Sequence, residues 1–229
     1  MENNIKTKGR IIVIEGLDGS GKATQSKLLM EKLSKDYTVK KLSFPNYESD
    51  GSAPVRMYLS GEFGDDPACV NPFAAASFYA VDRVSSYLKD WKKDYEAGTL
   101  FVLDRYTTSN MVYMTSKLPT DDWDDFLMWL SEFEYDRLEL PRPDGVIYLD
   151  MPTEVSQKLM SGRYNSDESK KDLHEKNVDF LNACRKSALY AAQNQGWTVI
   201  PCSENNAPRT IEDIAADVYA EAVKILKKD

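Results

Sequence analysis

A glycine-rich segment near the N-terminus has the residue types and the spacing that bind phosphate groups. Gly16-Leu17-Asp18-Gly19-Ser20-Gly21-Lys22 matches the pattern G-x-x-x-x-G-K. Its glycines allow successive backbone N–H groups to turn toward one point, and its lysine can reach the β- and γ-phosphates of a nucleotide. The candidate nucleotide-binding residues are Gly16, Gly19, Ser20, Gly21, Lys22, Ala23 and Thr24.

The residue after the lysine departs from the full pattern. Ala23 stands where Ser or Thr normally supplies a hydroxyl to Mg²⁺, and Thr24 is one position late. Either a water takes the place of the hydroxyl on the metal, or the protein binds nucleotide without turning it over. The first interpretation is favoured because Mg²⁺ keeps most of its waters and is held largely by substrate phosphates.

A second group of residues that could bind a metal or a phosphate follows the apolar run Phe101-Val102-Leu103. Asp104 and Arg105 come directly after it, and the carboxyl ends of strands in an open parallel sheet face the ligand crevice. Asp104 can hold Mg²⁺ through water, and Arg105 can bind a phosphate with two parallel hydrogen bonds. The alternative is a structural ion pair at the end of a strand.

The apolar pattern predicts the elements that position these two segments. Short apolar runs predict five strands, at residues 10–15, 38–44, 99–103, 145–149 and 197–201. Helical spacing predicts helices at residues 21–35, 54–59, 72–95, 121–138, 153–161, 172–195 and 210–227. This alternation predicts a three-layer α/β fold, with a five-stranded parallel sheet flanked by helices.

The chain has no low-complexity linker and no internal repeat, so we expect a single domain over residues 1–229. The polar stretch 162–171 interrupts the apolar pattern. It is the candidate for a mobile lid, and an ordinary solvated surface loop is the alternative.

Composition excludes several classes of protein. The 229 residues carry 29 Lys and Arg against 37 Asp and Glu, a formal charge of −8, which argues against nucleic acid or a membrane surface as partner. The three cysteines are far apart and His174 is the only histidine, which argues against a zinc cluster or a Ser-His-Asp triad. The sequence begins without the apolar segment of a signal peptide, so we expect a cytoplasmic protein.

Several motifs follow one another along the chain: IVIEGLDGSGKATQ, Phe44-Pro45, FYAVDR, LDRY and then the polar stretch 162–171. Their order resembles that of the thymidylate kinase family of P-loop nucleoside monophosphate kinases. The similarity keeps order and spacing over nearly the whole chain. It implies a P-loop NTPase-like fold, transfer of the γ-phosphoryl group of ATP to dTMP to give dTDP, a requirement for Mg²⁺, and a homodimer.

The resemblance also implies roles for substrate-binding residues. Asp18 faces the deoxyribose 3′-OH, and Tyr113 lies against the sugar, where it disfavours a ribose. Phe44 lines the thymine pocket and Tyr79 stacks on the base. Arg83 donates to thymine O4, which penalises cytosine because its amine leaves both groups unpaired. The alternatives are core aromatics at Phe44 and Tyr79, and a solvated helix charge at Arg83.

For the transfer step, the resemblance assigns Lys22 to the ATP phosphates, Arg105 to the dTMP phosphate and Asp104 to the water shell of the metal. Members of the family add a mobile arginine, either in the phosphate loop just after the Asp or in the lid. Gly19 occupies the loop position, so the lid residue Arg163 is the candidate.

Four further residues have less defined roles. Lys170 and Lys171 are weaker alternatives to Arg163, and His174 lies where the family has a polar residue near the substrate, or is simply a surface residue. Glu15 either organises waters at the metal or braces the loop.

Two rival functions are also compatible with the sequence. One is a related kinase with a different nucleotide or a deoxynucleoside as acceptor, although deoxynucleoside kinases usually carry Glu-Arg-Ser where this chain has Asp104-Arg105-Tyr106. The other is a nucleotide-binding sensor with little or no kinase activity, for which Ala23 is the only support.

Overall fold

A computed structural model of the chain describes residues 8–163 and 177–228, with the side chains of 161–163 excepted. Five parallel strands form one sheet in the order β2-β3-β1-β4-β5. The strands are β1 Arg10–Gly16, β2 Val39–Ser43, β3 Leu100–Asp104, β4 Gly145–Asp150 and β5 Thr198–Pro201. The predicted five-stranded parallel sheet is therefore confirmed.

The sheet divides the hydrophobic core into two layers, as the side chains of its central strand, β1, show. Successive residues of a strand point to opposite faces. Ile11 and Val13 pack into one cluster, and Ile12 and Ile14 pack into the other. Helices cover both faces of the sheet, so the three inner strands β3, β1 and β4 are near-continuous apolar runs, as the centre of a buried parallel sheet requires. The edge strand β2 (VKKLS) is only partly buried and carries two lysines.

The strand register brings the two chemically capable segments together. Ile14 is paired with Asp104 across β1 and β3, and Ser43 is paired with Asp104 across β2 and β3. The phosphate loop leaves β1 at Gly16, so it begins beside the carboxyl end of β3.

Nine α-helices lie within the described residues. They are α1 Lys22–Leu33, α2 Ala53–Leu59, α3 Pro72–Ser86, α4 Lys92–Glu96, α5 Thr107–Tyr113, α6 Trp123–Ser131, α7 Thr153–Arg163, α8 Val178–Gln195 and α9 Ile211–Leu226. Side chains cap three of them at the N-terminus: Asn71 accepts from the Ala74 backbone at 2.9 Å, and Asn177 and Thr210 act similarly on α8 and α9. Such caps satisfy backbone donors that a helix leaves free.

Two of the predicted helices are interrupted by π-helical turns. The helix predicted at 72–95 divides into α3, a π-helical turn at Tyr87–Trp91 and α4. The helix predicted at 121–138 divides into α6 and a π-helical turn at Glu132–Arg137. A π turn changes the rotation between the residues before and after it, so a simple 3.6-residue pattern does not reveal it.

The sequence pattern missed α5 altogether, because this helix is buried on nearly all sides. Six of its seven residues are buried, including Thr107, Asn110 and Tyr113. Without a solvated face it has no amphipathic period to detect. A short hairpin, β6 Ser203–Glu204 with β7 Ala207–Pro208, was also not predicted.

The predicted lid falls mostly outside the described residues. Helix α7 continues to Arg163, two residues beyond the helix predicted at 153–161. Lys170, Lys171 and His174 lie outside the part of the chain that the structure describes. Among the described helices, none combines the length and the apolar character needed to span a membrane.

Candidate active site

A cavity of about 780 Å³ opens at the carboxyl edge of the sheet. The sequence-predicted residues that line it are Asp18, Gly19, Gly21, Lys22, Ala23, Thr24, Phe44, Tyr79, Arg83, Asp104, Arg105 and Tyr113. The fold thus gathers the phosphate loop, the end of β3 and the aromatic face of α3 around one space. Gly16 and Ser20 do not line it, and the side chain of Arg163 is outside the described residues.

The phosphate loop joins β1 to α1 and buries its lysine at the cavity. Gly21 has a left-handed backbone (φ 89°) just before α1 begins at Lys22. Lys22 Nζ donates to the Leu17 carbonyl at 2.8 Å and lies 3.9 Å from Asp18 Oδ1. Burial, reinforced by the charge of Arg105, lowers the pKa of Lys22 below its ordinary value. A phosphate oxygen would supply this buried ammonium with a stronger charged partner.

Two residues of the motif shape the loop from within. Ser20 is buried, and a Cβ added to Gly16 would lie 2.6 Å from Ser20 Oγ. The close approach requires glycine at position 16, where φ is 156°. These residues therefore define the path of the loop, while Gly19 and Gly21 border the cavity.

Helix α7 packs directly on the loop at Gly19. A Cβ at this position would lie 2.9 Å from the Ser156 carbonyl oxygen and 3.0 Å from Met160 Cγ. The backbone φ of 78° is also unfavourable for any residue with a side chain. The packing of α7 therefore leaves no room for a side chain at position 19 unless this helix shifts.

Arg105, Asp18 and Tyr113, which all line the cavity, form a closed polar triangle. Arg105 Nη2 donates to Asp18 Oδ1, and its Nη1 donates to the Tyr113 hydroxyl at 3.2 Å. The same hydroxyl donates to Asp18 Oδ2 at 3.0 Å. Burial raises the pKa of Tyr113 well above its ordinary value, so the hydroxyl keeps its proton. Among the described residues, Arg105 forms ion pairs with Asp18 and Glu15 and none with Asp104. The alternative of a structural ion pair between the adjacent residues Asp104 and Arg105 is therefore not what the structure shows.

Glu15 is fully buried, and its carboxylate is hydrogen-bonded to other groups of the protein. Its carboxylate accepts hydrogen bonds from the Gly16 backbone (3.0 Å), the Thr108 hydroxyl (2.6 Å) and the Ser109 hydroxyl (2.8 Å). It does not line the cavity. Of the two roles considered from the sequence, these contacts favour bracing of the loop against α5.

Aromatic side chains form the other end of the cavity. Phe44 is almost fully buried and packs against Tyr106, with 5.9 Å between ring centroids. Tyr79 is half-buried and meets the edge of Tyr58 at 6.5 Å. Phe44 is therefore both a core residue and a cavity wall, and Tyr79 exposes part of its ring to the cavity.

Arg83 is not a solvated helix charge, because only 1% of the residue is exposed. Its Nε and Nη2 each donate to the Glu134 carboxylate at 2.6 Å. Burial alone lowers the pKa of Arg83, but the Glu134 charge outweighs it and the pKa is raised. The guanidinium therefore lies at the cavity wall as a fixed, charged group.

Glu134 was missed by the sequence analysis, although the sequence carries a signal for it. Leu130 and Glu134 are four positions apart, on the apolar side of the predicted helix 121–138. A carboxylate within an apolar stripe indicates a buried partner, because an unpaired charge is too costly to bury. The cavity residues that were not predicted are Ser43, Pro45, Tyr47, Leu59, Tyr106, Ser109, Asn110, Met114, Leu159 and Met160.

The donors available to a divalent cation are few. The described residues contain no group of three or more His, Cys, Asp or Glu able to enclose a metal. Asp104 supplies a carboxylate at the cavity wall, close enough to Lys22 to oppose the lowering of the lysine pKa. One carboxylate fits Mg²⁺, which is commonly held by one or two protein carboxylates together with waters and phosphates.

Comparison with known proteins agrees with this geometry. The family model described as thymidylate kinase matches residues 14–214. Thymidylate kinase of Mycobacterium tuberculosis is 32% identical over 197 residues, covering 82% of this chain and 87% of that protein. Thymidylate kinase of Plasmodium falciparum is 31% identical over 222 residues, covering 96% and 92%.

The fold agrees as well. The solved structure of thymidylate kinase from Candida albicans superposes with a TM-score of 0.69 at 20% identity, covering 95% of this chain and 93% of that one. The chain belongs to the thymidylate kinase family, the P-loop nucleoside monophosphate kinases that phosphorylate dTMP to dTDP with ATP.

Proposed function

We propose that this cavity binds Mg-ATP at the phosphate loop and dTMP at Arg105, and that its residues carry out the transfer between them. One observation carries the proposal. Arg105, a phosphate-binding side chain, is tied to Asp18 inside the phosphate loop, so an acceptor phosphate and Lys22 share one cavity. Phosphoryl transfer depends on such positioning and on charge stabilisation more than on a base.

At the donor end, the loop and the start of α1 bind the ATP phosphates. The N-terminus of α1 adds a partial positive charge, and Lys22 binds the β- and γ-phosphates. Ala23 and Thr24 are exposed on the first turn of α1 and line the cavity. Ala23 offers the nucleotide its backbone N–H and no hydroxyl.

At the acceptor end, Arg105 binds the dTMP phosphate and Asp18 faces the 3′-OH. Tyr113, held by both, lies against the deoxyribose and disfavours a ribose 2′-OH. Phe44 and Tyr79 enclose the thymine ring. Arg83 donates to O4 of the base. The Arg105–Asp18–Tyr113 triangle supports these roles because it fixes three substrate contacts relative to one another.

Mg²⁺, when bound, neutralises charge on the phosphates during transfer. Asp104 would hold it through water, together with the nucleotide phosphates. Arg163 is the candidate for the additional arginine. Its helix α7 reaches the loop at Gly19 and lines the cavity with Leu159 and Met160, which brings the C-terminal end of that helix toward the phosphates.

We also propose that the chain is a single catalytic domain, acts in the cytoplasm and works as a homodimer. Helix α3 and the π-helical turn that follows it leave apolar side chains exposed at Phe73, Val81 and Leu88. Such residues give a second copy of the chain an apolar surface to cover. Sedimentation of the purified protein would test the homodimer.

The proposal is tested by ADP release from Mg-ATP with dTMP, dUMP, dCMP, dGMP, dAMP and thymidine as separate acceptors. Strong preference for dTMP is expected, and chelation of Mg²⁺ is expected to abolish turnover. Turnover with another acceptor would retain the kinase and overturn the base-pocket roles. ATP binding without turnover on any acceptor would favour a nucleotide sensor and make Ala23 the explanation.

A further inference from the structure

A buried carboxylate lies behind the base end of the cavity and contacts three side chains at once. Glu134 is fully buried on the π-helical turn after α6. Its Oε2 accepts from Arg83 Nε (2.6 Å) and the Thr107 hydroxyl (3.1 Å). Its Oε1 accepts from Arg83 Nη2 (2.6 Å) and Asn110 Nδ2 (2.8 Å). These four bonds occupy the acceptor capacity of the carboxylate.

This carboxylate fixes the direction in which the Asn110 amide points. Asn110 Nδ2 donates to Glu134 and to the Ala76 carbonyl at 3.0 Å, so both of its protons bind the protein. Asn110 is only 2% exposed and lines the cavity. The amide oxygen is therefore the polar atom that Asn110 offers to a ligand.

The same carboxylate also fixes the orientation of the Arg83 guanidinium, the hydrogen-bond donor next to Asn110. Glu134 binds the guanidinium of Arg83 through two nitrogens, which holds its plane in one orientation. Nη1 donates one long hydrogen bond, of 3.4 Å, to the Tyr106 carbonyl. Donor protons of the Nη atoms remain for the cavity, which Arg83 lines.

The cavity wall thus presents a donor from Arg83 beside an acceptor from Asn110. Thymine has the complementary edge, an acceptor at O4 beside a donor at N3–H. Cytosine has the opposite edge, a donor amine at C4 beside an acceptor at N3. A buried donor or acceptor left without a partner costs more than a normal hydrogen bond gains.

We propose that Glu134 is a positioning residue that sets the pyrimidine preference, because it fixes the hydrogen-bonding direction of both Arg83 and Asn110. This inference rests on the proposed binding of dTMP in the cavity. It assigns base selection to a residue that does not itself line the cavity. Glu134 acts only through the two side chains that it holds.

The test is Glu134→Gln, which replaces one carboxylate oxygen by an NH₂ group. Either orientation of the new amide sets a donor against donors of Arg83, and one orientation also faces the Asn110 donor. We expect the ratio of kcat/KM for dTMP to that for dCMP to fall at least about tenfold, since one such pairing contributes discrimination of this order.

A matched control is available at Asp150. Arg185 Nε and Nη2 donate to the two oxygens of Asp150 at 2.8 Å each, the same bidentate geometry away from the cavity lining. Asp150→Asn makes the same chemical change and is expected to leave the dTMP to dCMP ratio unchanged. Melting temperatures of both variants separate stability from selectivity.

A milder variant covers the case in which Glu134→Gln does not fold. Thr107→Val keeps the shape of the side chain and removes its hydrogen bonds with Glu134 and with Tyr135, while the bonds of Glu134 to the other two side chains stay in place. We expect a fall in the ratio of about threefold.

The outcomes separate this inference from the proposed function. A lower melting temperature with an unchanged ratio in folded Glu134→Gln, or an unchanged ratio in Thr107→Val if the first variant is unfolded, would overturn the inference. Failure of the wild-type protein to phosphorylate dTMP would overturn the proposed function instead.

Discussion

The guanidinium of Arg105 and the carboxylate of Asp18 are paired across 87 positions of sequence. The pair joins the end of β3 to the phosphate loop, and Tyr113 bonds to both members. Arg105 has a left-handed backbone with φ 68°, which is unusual for a residue other than glycine and costs about 1–3 kcal/mol. The ion pair and the parallel strands together hold the residue in this conformation.

Arg105→Lys is expected to lower kcat/KM for dTMP by about 100-fold, because lysine is a point charge and cannot bind a phosphate and Asp18 in the same planar geometry. Steady-state kinetics with varied dTMP measures the change. Arg137→Lys is the control, since Arg137 pairs with Glu132 at the surface and is 73% exposed. Similar kinetics for the two variants would contradict the role of Arg105.

Gly19 and Gly21 both line the cavity, but we expect an added methyl group to destabilise the protein to different degrees at the two positions. Alanine at a positive φ costs about 1–2 kcal/mol at either position. At Gly21 the added Cβ meets nothing within 4 Å, whereas at Gly19 it meets the Ser156 carbonyl at 2.9 Å. We expect Gly19→Ala to lower the free energy of unfolding by about 1–3 kcal/mol more than Gly21→Ala.

Denaturant unfolding of the two variants measures this difference. Each variant serves as the other's control, because both add one methyl group to the same loop. Equal destabilisation would mean that α7 does not pack on Gly19 as described.

The burial of the Lys117 ammonium predicts that the stability of the protein depends on pH in the alkaline range. Its ammonium donates to the Tyr58 hydroxyl at 2.6 Å and to the Val70 carbonyl at 3.3 Å, and burial lowers its pKa from 10.5 to about 8. Between these two values the unfolded chain holds more protons at this site than the folded chain. The contribution of Lys117 to the free energy of unfolding therefore rises with pH across that window.

Lys117→Met removes the titrating group. Its free energy of unfolding should rise less than that of the wild type from about pH 8 to about pH 10.5, and the two curves should be parallel below pH 8. Lys27→Met is the control, because Lys27 is 68% exposed, and it should follow the wild type throughout. Parallel curves for Lys117→Met in the alkaline window would contradict the prediction.

Ala23→Ser restores the hydroxyl that the phosphate loop lacks. We expect kcat to stay within about tenfold of the wild type, a change of about 1.4 kcal/mol in the barrier, because waters and phosphates supply most ligands of Mg²⁺. Kinetics at varied Mg²⁺ concentration measure the effect, and Thr24→Ser controls for a change on the same turn. A gain of several orders of magnitude would show that the native site is impaired and would favour the sensor function.

The sequence by itself determined the features that rest on short-range patterns. The phosphate loop is seven consecutive residues between a β-branched run and a helix, and Asp104-Arg105 follows an apolar run directly. Alternation of strands and helices then requires a parallel sheet, and a parallel sheet aligns the carboxyl ends of its strands. The cavity-lining residues that were predicted lie in or beside such local motifs.

Only the tertiary structure decided which buried charge pairs with which. Arg83 and Glu134 are 51 positions apart, and a π-helical turn sets the rotation of the chain at Glu134. Helix α5, which carries Asn110, is buried on nearly all sides and so has no amphipathic period. A charged side chain can pair with any group of opposite charge that lies close to it. Which group lies close depends on tertiary packing, which local sequence patterns do not encode.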